Sequence, residues 1–147
     1  MASDAVTLIQ ATLAPIFLVN GAAIFLNFTQ SRLFRVIDRM RVLAKELPSA
    51  TDAHRENIKW QRTRHVRRAV ILRNAILMGV LAIVFTIATT LLILLPSEFG
   101  IDSARWPIYS FTGALLCFAV ALSLVATDAF LSVAAVRHLE REFGEPA

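Results

Sequence analysis

Three long apolar stretches, almost free of charge, divide this chain of 147 residues. They run from about Val6 to Phe28, Ala75 to Leu95 and Ile108 to Thr127. An α-helix needs about 20 apolar residues to cross a bilayer, and each stretch supplies that length. A buried helix in a soluble bundle rarely stays apolar for so long on every face. The pattern predicts three membrane spans rather than a soluble core.

The first run continues past the membrane. No Gly or Pro follows Phe28 until Pro48, while Leu33, Val36, Ile37, Met40, Leu43, Ala44 and Leu47 keep helical a/d spacing. One helix is expected from about Val6 to Glu46. Pro15 removes a backbone hydrogen bond within it and predicts a modest kink. Pro48 stops the helix, Ser49 or Thr51 can cap the next, and Asp52 complements its dipole. A second helix is expected from about Asp52 to Leu95, with Ile58, Trp60, Val66 and Val70 as the apolar anchors of its first half. Trp60 is expected to pack on the Met40/Leu43 side. Pro96 to Gly100 breaks this helix, and the third ends near Arg137 or Glu142.

Charge gives these elements a direction. Twelve of the fifteen Lys and Arg residues lie between Arg32 and Arg73, against Asp38, Glu46, Asp52 and Glu56. Basic residues flanking spans stay on the cytoplasmic side. The N-terminus and an outer loop at 96–107 are therefore placed outside, and a tail at 137–147 inside. Asp4, Glu98 and Asp102, with only Arg105 opposing them, make the outer face acidic. Trp106 and Tyr109 suit an outer aromatic belt. A secretory signal peptide is not expected, because the basic residues follow the first apolar run instead of preceding it. The expected fold is all-α: one integral membrane domain over 1–147, with three transmembrane helices. A long antiparallel basic hairpin at about 29–74 stands in the cytoplasm between spans 1 and 2.

Polar residues at membrane depth are the candidate chemistry, because each costs free energy there. Asn27, Asn74 and Asp128 fall at the predicted inner boundary, with Arg32 and Arg73 in reach. The expected role is a clamp in which Asp128 pairs with one Arg, with cation binding or gating as the functional alternative. Gln10, Asn20 and Asn27 recur near one face of the first helix, which continues to Ser31 and Asp38. Such a stripe either bonds to neighbouring helices or lines a pore in an oligomer. Small residues at Gly21, Ala22 and Ala23, and at Ala119, Ser123 and Thr127, offer close-approach surfaces for assembly. Asp38 stands three residues from both Arg35 and Arg41, the spacing of a local ion-pair ladder. Arg62, Arg64, Arg67 and Arg68 are candidate contacts to a partner or to anionic inner-leaflet lipid, at about 1 kcal/mol per basic residue near the surface.

The stretch Ser31-Arg32-Leu33-Phe34-Arg35-Val36-Ile37-Asp38-Arg39-Met40-Arg41, following a span that contains Pro15, resembles a bacterial family of small membrane proteins catalogued only as a domain of unknown function. Arg67-Arg68 and Leu72-Arg73-Asn74-Ala75-Ile76 are also similar to it. The resemblance implies this architecture and a bacterial inner-membrane location, and it implies no activity.

His54, His65 and His138 lack metal-ligand spacing, and Cys117 stands alone. No phosphate loop, nucleophile elbow or paired carboxylates are present in the sequence. No cofactor and no enzymatic activity are expected. Nucleic-acid binding is not expected either, since topology already accounts for the basic charge. Two function classes remain. One is a homo-oligomer that conducts or senses ions, with the first helix near its axis. The other is a membrane-anchored interaction protein whose basic hairpin binds a partner or anionic lipid.

Overall fold

The structure is a computed structural model that describes residues 2–49, 51–94 and 105–143. Three helices account for nearly all of them. These are α1 (Ala2–Glu46), α2 (Asp52–Leu94) and α3 (Arg105–Phe143), with a short 3-10 turn at Leu47–Ser49 after α1. The Thr51 carbonyl accepts a bond from the Arg55 N–H at 2.9 Å, the first α-type bond of α2, which makes Thr51 its N-cap residue. Helical structure continues through Pro15 without a break. Each helix contains a segment long and apolar enough to cross a membrane. Glu98 and Asp102, part of the expected acidic outer face, lie outside the described residues, as does the side chain of Asp4.

Burial along the helices follows a period of seven. In α1 the buried positions are Pro15, Ala22, Thr29, Val36 and Leu43. In α2, Ile58, Leu72, Gly79 and Thr86 share one heptad position, and Ala75, Ala82 and Thr89 share another. In α3 they are Ala114, Ala121 and Asp128. A strict seven-residue repeat is the signature of left-handed helix packing with knobs set into holes.

The contacts gather into two compact units, one of Met1–Phe28 with Ile76–Ala121 and the other of Thr29–Ala75 with Leu122–Ala147. The first unit is packed with small and hydroxylated residues at its centre and large apolar ones outside. Ala22, Ala82 and Ala114 are buried, while Phe17, Ile24, Val84 and Leu116 are exposed. Helices approach closely here: a Cβ on Gly79 would stand 2.8 Å from the Leu26 Cδ2, and Phe25 meets Phe118 edge-on at 5.4 Å. Small residues at helix contacts with apolar side chains turned outward suit a lipid solvent. In water the same surface would be an association patch. The buried hydroxyls are satisfied within their own helix, Thr86 donating to the Ala82 carbonyl at 2.7 Å and Thr89 to that of Phe85 at 2.8 Å. Such back-bonding removes the cost of an unpaired polar group in hydrocarbon.

The second unit holds the basic residues. Val36, Leu43, Ile58 and Leu72 form its buried apolar positions. Trp60, by contrast, is 63% exposed and lies against the Arg64 guanidinium, 5.4 Å from its ring centroid. The expected packing of Trp60 into this core does not occur. Ile58 holds the heptad position, and a residue two places further along an α-helix is turned to the far side. Val70, two places before Leu72, is exposed for the same reason, and Val66 is exposed as well.

Candidate functional site

The chemistry of the second unit centres on Asp128, whose side chain is completely buried. It occupies the core position of α3, one heptad beyond Ala121. Arg68 grips it through two donors: Nε gives a bond of 2.8 Å to Oδ1, and Nη2 one of 3.3 Å to Oδ2. Arg32 Nη1 stands 3.8 Å from Oδ2. A carboxylate this deep is tolerated only when paired and hydrogen-bonded, and the two-pronged guanidinium contact provides both. One turn before Arg68, Arg64 donates to the Leu131 carbonyl at 3.1 Å. As α2 advances from Arg64 to Arg68, α3 steps back from Leu131 to Asp128, so the two helices run antiparallel here. The Ser132 hydroxyl donates to the Asp128 carbonyl at 2.8 Å.

Beside this clamp lies a cavity of about 240 Å³, lined by Arg32, Arg35, Val36, Arg39, His65 and Arg68. Four arginines and a histidine line it, with one valine and no carboxylate. His65 falls on the α2 heptad position between Ile58 and Leu72, and its Nδ1 is buried without a hydrogen-bond partner. It stands ten residues before the second apolar run. Its pKa is lowered from the ordinary histidine value, first by burial and then by the charges of Arg68, Arg39 and Arg64. A neutral imidazole is therefore the resting form near neutral pH. Arg35 and Arg39 are exposed at this mouth, and no ion pair engages either among the described residues.

The other candidates distribute as follows. Within this unit, Asp128 joins Arg32 and Arg68, whereas Arg73 is exposed and Asn74 half-buried, with neither in the clamp. Gln10, Asn20, Asn27 and Ser31 are all exposed along α1, alongside Ile24 and Phe28. Around Gly21 a Cβ would meet nothing within 4 Å. Ala119, Ser123 and Thr127 are exposed on α3. Arg62 and Arg67 are exposed, while Arg64 and Arg68 make the structural contacts described above. The ladder on α1 forms in one half: Arg41 meets Asp38 at 3.5 Å in solvent, and Arg35 turns to the cavity.

Arg39 and His65 did not stand out as site residues in the sequence. The signal that identifies His65 is the heptad register, which sets it on the seam of α2.

A family model described as a protein of unknown function matches residues 12–138. No curated protein and no solved structure matches the chain.

Proposed function

The chain belongs to the DUF2721 family, and from its own geometry we propose that it is a non-enzymatic, multi-pass membrane protein whose basic unit engages anionic headgroups at the cytoplasmic face. The observation that carries this reading is the cation-lined cavity, where four arginines converge and the nearest buried carboxylate already serves two of them. Like charges held in a concave, partly desolvated space repel one another, and a negative group lowers that cost. Exposed Arg62 and Arg67 extend the positive surface. The excess of basic residues between Arg32 and Arg73 supports a cytoplasmic location for this segment, with the N-terminus outside and the C-terminus inside. The bacterial inner membrane is the compartment we assign.

The test is lipid enrichment. The full chain is extracted from membranes of mixed zwitterionic and anionic lipid, and the lipids retained are measured by mass spectrometry. Anionic lipid should be enriched, and Arg62→Gln with Arg67→Gln should reduce that enrichment at low salt. Equal retention of both lipid classes would reject the reading.

One observation favours a second reading. The polar residues Gln10, Asn20, Asn27 and Ser31 lie on an exposed face of α1. Asn20 facing hydrocarbon would be costly, and a second copy of the chain would relieve it. On that reading α1 lines the axis of a homo-oligomer that conducts or senses ions. Counting subunits in nanodiscs tests it, since a monomer would exclude an axial pore. If a ring forms, Asn20→Leu should lower ion flux into proteoliposomes.

A further inference from the structure

We propose that the cavity bounded by Arg32, Arg35, Arg39, His65 and Arg68 is a discrete binding site for a phosphate group. The inference deepens the headgroup reading and rests on it: diffuse attraction needs only surface charge, whereas this geometry defines one saturable position.

Several features distinguish the cavity from a solvated basic face. Arg68 is fixed by its contact to buried Asp128, which uses Nε and one hydrogen of Nη2. A guanidinium has five N–H donors, so three of its own remain for another acceptor. The same carboxylate holds Arg32 at 3.8 Å. Asp128 thus acts as a positioning residue that sets the Arg68 guanidinium beside Arg32 before any ligand arrives, and fixed donors lose less entropy on binding. Arg35 and Arg39 line the same space one helical turn apart on α1. His65 lines the α2 side of the same space.

Size and donor chemistry narrow the ligand class. The cavity holds about 240 Å³, near the volume of eight waters at about 30 Å³ each. That accommodates a phosphate group with part of its hydration, and it is smaller than the roughly 300–1,000 Å³ of pockets for drug-sized ligands. Four arginines lining one cavity offer more donors than the two oxygens of a carboxylate can accept, whereas a phosphate presents several acceptor oxygens. The phosphate can come from a lipid headgroup or from solution, and the experiment separates these sources.

Purified full-length protein is placed in nanodiscs of purely zwitterionic lipid, and its thermal unfolding is followed while inorganic phosphate is titrated at constant ionic strength. A parallel series replaces part of the lipid with phosphatidic acid. Two double variants with equal loss of charge are compared: Arg35→Gln/Arg39→Gln inside the cavity, and Arg62→Gln/Arg67→Gln outside it. All four arginines are exposed, so neither variant disturbs the core. A saturable stabilisation by inorganic phosphate is expected, with apparent affinity about tenfold weaker in the cavity variant, as loss of a charge-assisted bond predicts. The outer variant should stay within about twofold of the parent. If only phosphatidic acid stabilises, with the same ranking of variants, the site stands and its ligand is a lipid headgroup. Equal losses in both variants would overturn the discrete site while leaving surface attraction intact. No stabilisation by either probe would also overturn it, and the lipid-enrichment measurement would then decide the broader reading alone.

Discussion

Asp128 and His65 occupy heptad core positions that neighbouring turns fill with Ala, Ile and Leu, and each brings a specific liability. Removing the Asp128 carboxylate leaves Arg68 and Arg32 without their anion. Breaking a buried pair costs about 3–5 kcal/mol when the orphaned charge stays buried. Both arginine side chains here are about a quarter exposed and can rehydrate, so Asp128→Ala should destabilise by about 2–4 kcal/mol. Chemical denaturation in mild detergent measures this, and a loss below about 0.5 kcal/mol would mean that the clamp contributes little. His65 gives a pH dependence of defined sign. Its pKa is lowered in the folded protein, so on acidification the unfolded chain takes up the proton first, near the ordinary value of about 6.5, and stability falls. The groups facing it are Arg32, Arg35, Arg39, Arg64 and Arg68, all cationic. In phosphate-free buffer the melting temperature should drop between about pH 7.5 and about pH 5.5, and His65→Gln should flatten that drop. An identical pH profile for the variant would assign the acid sensitivity elsewhere.

At the scale of the element, the helices and their ends were legible, and the faces were only partly so. Apolar runs, Pro48 and the absence of a breaker after Phe28 predict α1 and α2 to within a few residues of the observed bounds. The hydrophobic pattern alone does not reveal which face packs inward. Thr29, Thr86 and Asp128 sit at buried positions, while Ile24, Leu77 and Phe130 sit at exposed ones. In lipid, apolar character no longer separates inside from outside, because the solvent is itself apolar. Of the spaced residues from Leu33 to Leu47 only Val36 and Leu43 are buried, and these two continue as a seven-residue series through Thr29, Ala22 and Pro15. The same limit explains the Asp128 partner. Membrane depth suggested Arg32 or Arg73; Arg32 does stand 3.8 Å from Asp128, but on α2 the register selects Arg68, five residues and well over one turn before Arg73. A direct check compares the two apolar residues once grouped as anchors. Ile58→Ala should cost about 2–4 kcal/mol, as a fully buried aliphatic truncation does, and Trp60→Ala less than about 1 kcal/mol, since it forfeits an exposed cation–π contact. Equal costs would refute the heptad assignment of α2.

For the whole molecule, orientation decides which phosphate or lipid the basic unit can meet, so it is the property on which the functional readings depend. Translocating the segment from Arg32 to Arg73 would carry a net charge of +8, twelve basic against four acidic residues, through the bilayer. The opposite orientation instead leaves that charge at the anionic inner leaflet, where each basic residue is favoured by about 1 kcal/mol. The positions of charge predict the N-terminus of α1 outside and the turn after it inside. Cys117 is the sole cysteine, so Cys117→Ser provides a thiol-free background for mapping. Ser3→Cys in that background should react with a membrane-impermeant maleimide in intact cells. Ser49→Cys, at the end of the 3-10 turn, should react only after the membrane is opened. Reaction of residue 49 in intact cells would place the arginine cavity on the outer side, away from the inner leaflet. That outcome would remove the cytoplasmic headgroup reading while leaving the phosphate site itself to be tested with external ligands.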